Sequence, residues 1–167
     1  MIVEKLHKKR MHLIFKELGD TADLDIGSGK TPKGKVTLDR NPDFKPDIVA
    51  DIQFLPIKNE AVNSLVCSHV IEHVDNLDRT INELKRVLKK GGHSFFFMPN
   101  YGSGLWRLIE PVWAMYYSKA VSKADSPKSH KHFFDSPALN LCLVKFFSSV
   151  RIGKINLGTE LFAVCKS

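Results

Sequence analysis

The stretch Ala22-Asp23-Leu24-Asp25-Ile26-Gly27-Ser28-Gly29-Lys30-Thr31-Pro32 runs from an apolar segment carrying acids into a glycine turn. It reads as a buried strand that ends in a ligand-binding loop. Gly27 and Gly29 have no Cβ and tolerate positive φ, so the N–H groups of the turn can approach a ligand closely. Two ligand classes compete for this loop. Gly29-Lys30-Thr31 is the tail of a phosphate loop, G-x-x-x-x-G-K-[ST], but that pattern needs glycine at position 24, where Leu24 stands. The other reading is a Rossmann-type G-x-G turn, whose third glycine falls on Pro32. The elements that follow have to decide.

After Ile26 the second strand, Lys35 to Asp39, begins within nine residues. A parallel crossover normally takes a dozen residues or more, including a helix, so the first crossover helix must be short or replaced by a loop. Asp39 then stands at the tip of the second strand, where doubly wound folds hydrogen-bond the ribose of an adenosine-containing ligand. The plainer reading of Asp39 is a turn residue ahead of Asn41-Pro42-Asp43. Asp47 to Asp51 reads as a short third strand ending in a second acid. Ser64 to Ser68 is an apolar run of the kind buried in a parallel sheet.

Asp75 is the expected N-cap of a helix whose Leu77, Ile81, Leu84 and Leu88 repeat at helical spacing, with Gly91-Gly92 as its stop. His93 to Met98 is a strand closed by Pro99-Asn100. Trp106, Trp113, Tyr116 and Tyr117 lie in a helical stretch from Gly102 to Ser118, expected to break near Pro111. Residues 119–131 read as a polar loop. Ser136-Pro137 opens a helix through about Phe147, and 150–156 and 160–166 flank Leu157-Gly158-Thr159 as a β-hairpin.

On the N-terminal side, Ile2, Leu6, Leu13, Ile14 and Leu18 share one helical face, predicting an amphipathic helix over residues 1–20. With 167 residues and 43% hydrophobic content, the chain has the size of one domain with a substantial core. No 18-residue apolar run suggests a membrane span, and no signal segment is legible. Cys67, Cys142 and Cys165 are widely spaced in apolar surroundings, as reduced thiols of a cytoplasmic protein would be. The net charge of +7 comes mostly from residues 1–18 and 119–131. These are either solvated flanks or a basic patch for an anionic partner.

Taken in order, these motifs resemble those of class I S-adenosylmethionine-dependent methyltransferases, in particular the small type-11 domains. The resemblance rests on residues 23–29, on Leu38-Asp39, on Asp51-Ile52 before Leu55-Pro56, and on 66–74 and 83–92. It extends to His130-Lys131-His132-Phe133-Phe134 and the terminal hairpin. It implies a Rossmann-like, doubly wound α/β fold with a mostly parallel seven-stranded sheet, an antiparallel C-terminal hairpin, and first crossover helices shortened or missing. It also implies S-adenosylmethionine as cofactor. Gly27, Ser28 and Gly29 would approach its amino-acid part, with Asp25 holding the loop. Asp39 would take the ribose hydroxyls, Asp51 the adenine amino group and the Ile52 N–H the ring. Ser68 and His69 would lie at the methionine end.

The sulfonium methyl is already electrophilic, so the protein has mainly to align an acceptor, and a general base is needed only for a protonated one. His69 and His73 are the candidate bases, since imidazole titrates near neutrality, and Asn100 at the end of the fifth strand faces the expected acceptor position. Residues 102–132 are the expected substrate-side insertion or lid. His69-Val70-Ile71-Glu72-His73 also spells H-x-x-E-H, the inverted zincin pattern. It lacks the long helix that zinc proteases build it on, so no metal is expected. A non-catalytic module on the same fold is the second functional reading and a phosphate-loop nucleotide binder the third. The acceptor, whether small molecule, peptide or RNA, and the oligomeric state stay open.

Overall fold

The computed structural model describes residues 2–120 and 130–167. Its elements are α1 (Ile2–Leu18), β1 (Ala22–Ile26), β2 (Gly34–Asp39), β3 (Ile48–Val49), β4 (Val62–Ser68), α2 (Leu77–Val87), β5 (Leu88–Pro99), α3 (Gly104–Ala120), α4 (Ser136–Leu143), β6 (Ser149–Ile155) and β7 (Glu160–Lys166). The seven strands form one sheet in the order β3-β2-β1-β4-β5-β7-β6. The first five run parallel, and β7 is inserted antiparallel between β5 and β6. The expected α/β, doubly wound architecture with its C-terminal hairpin is therefore present.

The two faces of the sheet follow from the two-residue period of its strands. Val66, Phe95, Phe97 and Val164 pack with Ile14, Met11 and Leu18 of α1, whereas Leu65, Cys67, Phe96, Met98 and Ala163 pack against α2 and α4 on the other side. The run Phe95-Phe96-Phe97 thus feeds both cores, and all three rings are buried. No helix stands between β1 and β2, and only the single 3₁₀ turn Pro42–Phe44 lies between β2 and β3. Helix α1 packs on one face of the sheet over β1, β4, β5 and β7. Its Ile14 is fully buried there, a position where truncation to alanine costs about 2–5 kcal/mol.

Several local expectations are corrected. Asn76, not Asp75, caps α2, its Oδ1 accepting the Arg79 N–H at 2.9 Å, while the Asp75 carboxylate is taken by Lys131 Nζ. Helix α2 stops at Val87, four residues short of the glycines. The Arg86 and Val87 carbonyls accept the Glu60 and Ala61 N–H groups, and Leu88 already pairs with Val62 in the sheet. Helix α3 runs on across Pro111 with no break. The proline removes one intrahelical donor, but Arg107 and Pro111 are both exposed, so solvent can satisfy the freed carbonyl. Asp135 caps α4 through the Ala138 N–H, with Ser136 and Pro137 already inside the first turn, and the helix ends at Leu143. The loop expected over 119–131 lies largely outside the described residues.

Candidate active site

A cavity of about 950 Å³ opens at the C-terminal ends of β1, β2 and β4, where open α/β sheets place their ligands. Its floor is the glycine turn. Gly27 has φ +67°, and a Cβ there would stand inside van der Waals contact with Val70 Cγ2, so only glycine fits. The N–H groups of the turn do not reach for a ligand. Gly27 and Ser28 donate to the Leu38 carbonyl at 2.7 and 3.2 Å, and Gly29 donates to Asp39 Oδ2 at 2.9 Å. This overturns the expectation of free amides: without a following helix to fix it, the turn is pinned to the end of β2 by its own donors. The same geometry removes the phosphate-loop reading, which needs those amides and a helix behind them. Lys30 is exposed.

Asp39 is buried at the cavity wall, and its second oxygen accepts the Asn41 N–H at 2.9 Å. A carboxylate offers about four lone-pair sites, so it retains accepting capacity for a ligand hydroxyl. Asp51 is exposed at the rim, with Oδ1 holding the Gln53 N–H at 2.8 Å, and Ile52 beside it is buried. Gly27, Ser28, Gly29, Asp39, Asp51, Ile52, Ser68, His69 and His73 all line this one cavity. Asp25 and Asn100 do not.

Asp25 lies fully buried behind the turn, its Oδ2 accepting the Lys33 N–H at 2.6 Å. Burial pushes its pKa up, and the Lys33 ammonium opposes that rise without cancelling it. It braces the loop from the side away from the cavity. Asn100 is also buried and is occupied by the turn after β5. Its Nδ2 donates to the Gly158 carbonyl at 2.7 Å, and its Oδ1 accepts the Gly102 N–H at 3.1 Å. Both ends of the side chain thus anchor that turn, which corrects the expectation that it faces the acceptor.

His69 sits at φ +57°, immediately after β4, and its Nε2 lies 2.8 Å from Arg10 Nη2 and 3.2 Å from Glu160 Oε1. In the neutral ring Nε2 accepts from the guanidinium, which only donates, and the proton rests on Nδ1, 3.3 Å from Glu72 Oε1. Burial and Arg10 disfavour the imidazolium, but the Glu160 and Glu72 carboxylates outweigh them and hold the His69 pKa above its ordinary value. Glu160 is bridged by Arg10 Nε at 2.6 Å. Burial would raise its pKa, yet His69 and Arg10 bring it down to about 2. Arg10 and Glu160 had no signal in the sequence, because they stand 150 positions apart.

A second polar group borders the first. Leu105, Trp106 and Ile109 of α3 line the cavity, as does His130. Tyr101 donates to Glu110 Oε1 at 2.7 Å and also contacts His130 Nδ1. Burial, helped by His73 and His69 and opposed by Glu72, pushes His130 down to about 4, so its ring is neutral near pH 7.

Residues 20–96 match the family model described as a methyltransferase domain. An uncharacterized protein of Methanocaldococcus jannaschii is 31% identical over 125 residues, 62% of this chain and 49% of that one. The chain thus spans about half the length of the curated relative it matches. The described fold is similar to crystal structures of S-adenosylmethionine-dependent methyltransferases from Thermotoga maritima (TM-score 0.73, 19% identity, 96% of this chain and 88% of that one) and Archaeoglobus fulgidus (TM-score 0.70, 14% identity, 96% and 94%). Residues 20–96 thus match a methyltransferase domain, and the chain carries the fold of class I S-adenosylmethionine-dependent methyltransferases.

Proposed function

We propose that the chain is a methyltransferase that binds S-adenosylmethionine in the cavity at the ends of β1, β2 and β4 and passes its methyl group to an acceptor entering beneath α3. The observation that carries this reading is the convergence, in one cavity, of the glycine turn, two strand-end acids and two histidines drawn from four separate segments. The cavity has the volume expected of a small-molecule site. Its features suit the cofactor: a floor that a Cβ would obstruct at Gly27, a buried carboxylate with spare lone pairs at Asp39, and apolar walls at Leu38, Ile52 and Val70.

In this reading Asp39 takes the ribose hydroxyls, and Asp51 with the Ile52 N–H takes the adenine edge. Ser68 and His69 border the methionine end. S-adenosylmethionine supplies, when bound, a methyl group already activated on a sulfonium. The protein's own contribution is then alignment and exclusion of water. Trp106, Leu105 and Ile109 close the cavity on the acceptor side, so that residues 102–120 serve as the lid or substrate-side insertion. Nε2 of His69 already accepts from Arg10, so this ring would take a proton there only once the Arg10 N–H moves away. Lys5, Lys9, Arg10, Lys30, Lys33, Arg40 and Lys131 face Asp39, Asp51, Asp75 and Glu160 around the cavity, a basic excess that favours an acceptor bearing negative charge. The three thiols, Cys67 and Cys165 buried and Cys142 partly so, suit a reducing, cytoplasmic setting. No helix among the described residues is long and apolar enough to cross a membrane.

The test is transfer of labelled methyl from S-adenosylmethionine into fractions of a cell extract separated by size and charge. Incorporation into an anionic small-molecule fraction is the expected result. Saturable cofactor binding with no incorporation into any fraction would instead make the chain a non-catalytic module.

A further inference from the structure

We propose that Glu72, His73 and His130 form a binding site for a divalent transition-metal cation at the acceptor end of the cavity. One ligand atom from each residue lies within 4.8 Å of the other two. Around a cation with bonds of about 2.0–2.2 Å, neighbouring ligand atoms stand roughly 3–4 Å apart, so modest torsional adjustment of the imidazoles closes the set. The donors are two imidazoles and one carboxylate. That mixture suits borderline first-row cations such as Zn²⁺, Co²⁺ or Fe²⁺ better than Ca²⁺ or Mg²⁺, which prefer oxygen alone.

Glu72 supplies the independent observation. It is 1% exposed, and neither carboxylate oxygen has a hydrogen-bond partner. The His69 contact at 3.3 Å is an ionic approach and not an aligned hydrogen bond. A buried carboxylate left this way is costly unless something else takes its lone pairs. A cation held between it and the two imidazoles would do so.

The scaffold around the three residues is set by the backbone. Glu72 and His73 lie in the 3₁₀ turn Ile71–His73 that follows β4. The Glu72 carbonyl accepts the N–H groups of Lys131 and His132 at 2.7 and 3.1 Å, which brings His130 alongside His73 at a ring-centroid distance of 4.6 Å. The tautomer of His130 follows from its neighbours. Glu110 accepts from the Tyr101 hydroxyl, so the Tyr101 oxygen must accept from His130 Nδ1–H. The lone pair is thereby left on Nε2. A ligating histidine whose other nitrogen is tied through a hydroxyl to a carboxylate is the arrangement that fixes metal-binding imidazoles. Three protein ligands leave coordination positions open. Because His73 and His130 line the cavity, a ligand oxygen or nitrogen entering it can fill them.

The experiment is a Co²⁺ titration of the full chain after chelator treatment, read by visible d–d absorption and by displacement with Zn²⁺. The expected result is absorption that saturates at one Co²⁺ per chain and is abolished by Zn²⁺. His130→Ala, at a partly exposed position, should weaken Co²⁺ by at least about 100-fold, and Tyr101→Phe by roughly 10- to 100-fold. Glu72→Gln should also lose the site; since it is buried, the His130 variant carries the test if it fails to fold. Absence of saturable absorption, or equal Co²⁺ binding by wild type and His130→Ala, would overturn the proposal. So would loss of the signal in His12→Ala, which would assign it to the surface. Calorimetry with S-adenosylhomocysteine on the same samples separates this site from the cofactor reading. Co²⁺ absorption without homocysteine-nucleoside heat would uphold the metal site and count against the cofactor.

Discussion

Glu160→Gln should destabilise the fold strongly at neutral pH and hardly at all in acid. Glu160 is 5% exposed and is held by Arg10 and His69, which bring its pKa from 4.5 down to about 2. Between those two values the unfolded chain binds a proton that the folded chain does not, so stability rises with pH across that window. It is fully present above pH 4.5 and is lost as pH falls toward 2. The gap between 4.5 and about 2, at about 1.4 kcal/mol per pH unit, corresponds to about 3 kcal/mol. With a urea m-value of about 2 kcal/mol/M, the variant's midpoint at pH 7 should lie about 1.5 M below wild type. At pH 3 the difference should shrink to less than half. Urea unfolding followed by circular dichroism at pH 7, 5, 4 and 3 measures it directly. An offset that stays constant from pH 7 to pH 3 would refute the reasoning, because it would assign the loss to packing and not to charge.

Three further perturbations follow from the geometry. Gly27→Ala places a methyl group against Val70 Cγ2 at φ +67°, and should cost about 1–2 kcal/mol in thermal unfolding and most of the affinity for S-adenosylhomocysteine by calorimetry. Asn100→Ala leaves the Gly158 carbonyl and the Gly102 N–H without their side-chain partner, and should cost about 1–3 kcal/mol in chemical denaturation while the folded protein keeps its cofactor affinity. Ile14→Ala opens the contact between α1 and the sheet, at about 2–5 kcal/mol, and hydrogen exchange should show β5 and β7 losing protection on the Phe95 and Val164 side.

What the sequence revealed was what repeats locally. The alternation through Phe95-Phe96-Phe97-Met98, the G-x-G turn after β1 and the acid at the end of β2 each carry their signal within a few residues, and each sits where that signal placed it. The shortness of the link between Ile26 and β2 foretold the missing crossover helix, and α1 packs over β1, β4, β5 and β7. Local signals misled where a distant partner competes. Asp75 is a good cap by composition, but Lys131 claims it and the cap passes to Asn76. The glycine-turn amides looked available, but Leu38 and Asp39 consume them. Arg10 with Glu160 and His69, and Glu72 with His130, have no period or spacing to read, since the first set meets through α1 docking beside β7 and the second through the bonds of Lys131 and His132 to the Glu72 carbonyl.

In the proposed function the cavity at the ends of β1, β2 and β4 holds S-adenosylmethionine. Isothermal titration of the chain with S-adenosylhomocysteine, and separately with ATP, tests it most directly. Saturable heat with one S-adenosylhomocysteine per chain, weakened in Gly27→Ala and in Asp39→Ala, and none with ATP, is the expected result. Heat from ATP and none from S-adenosylhomocysteine would contradict it.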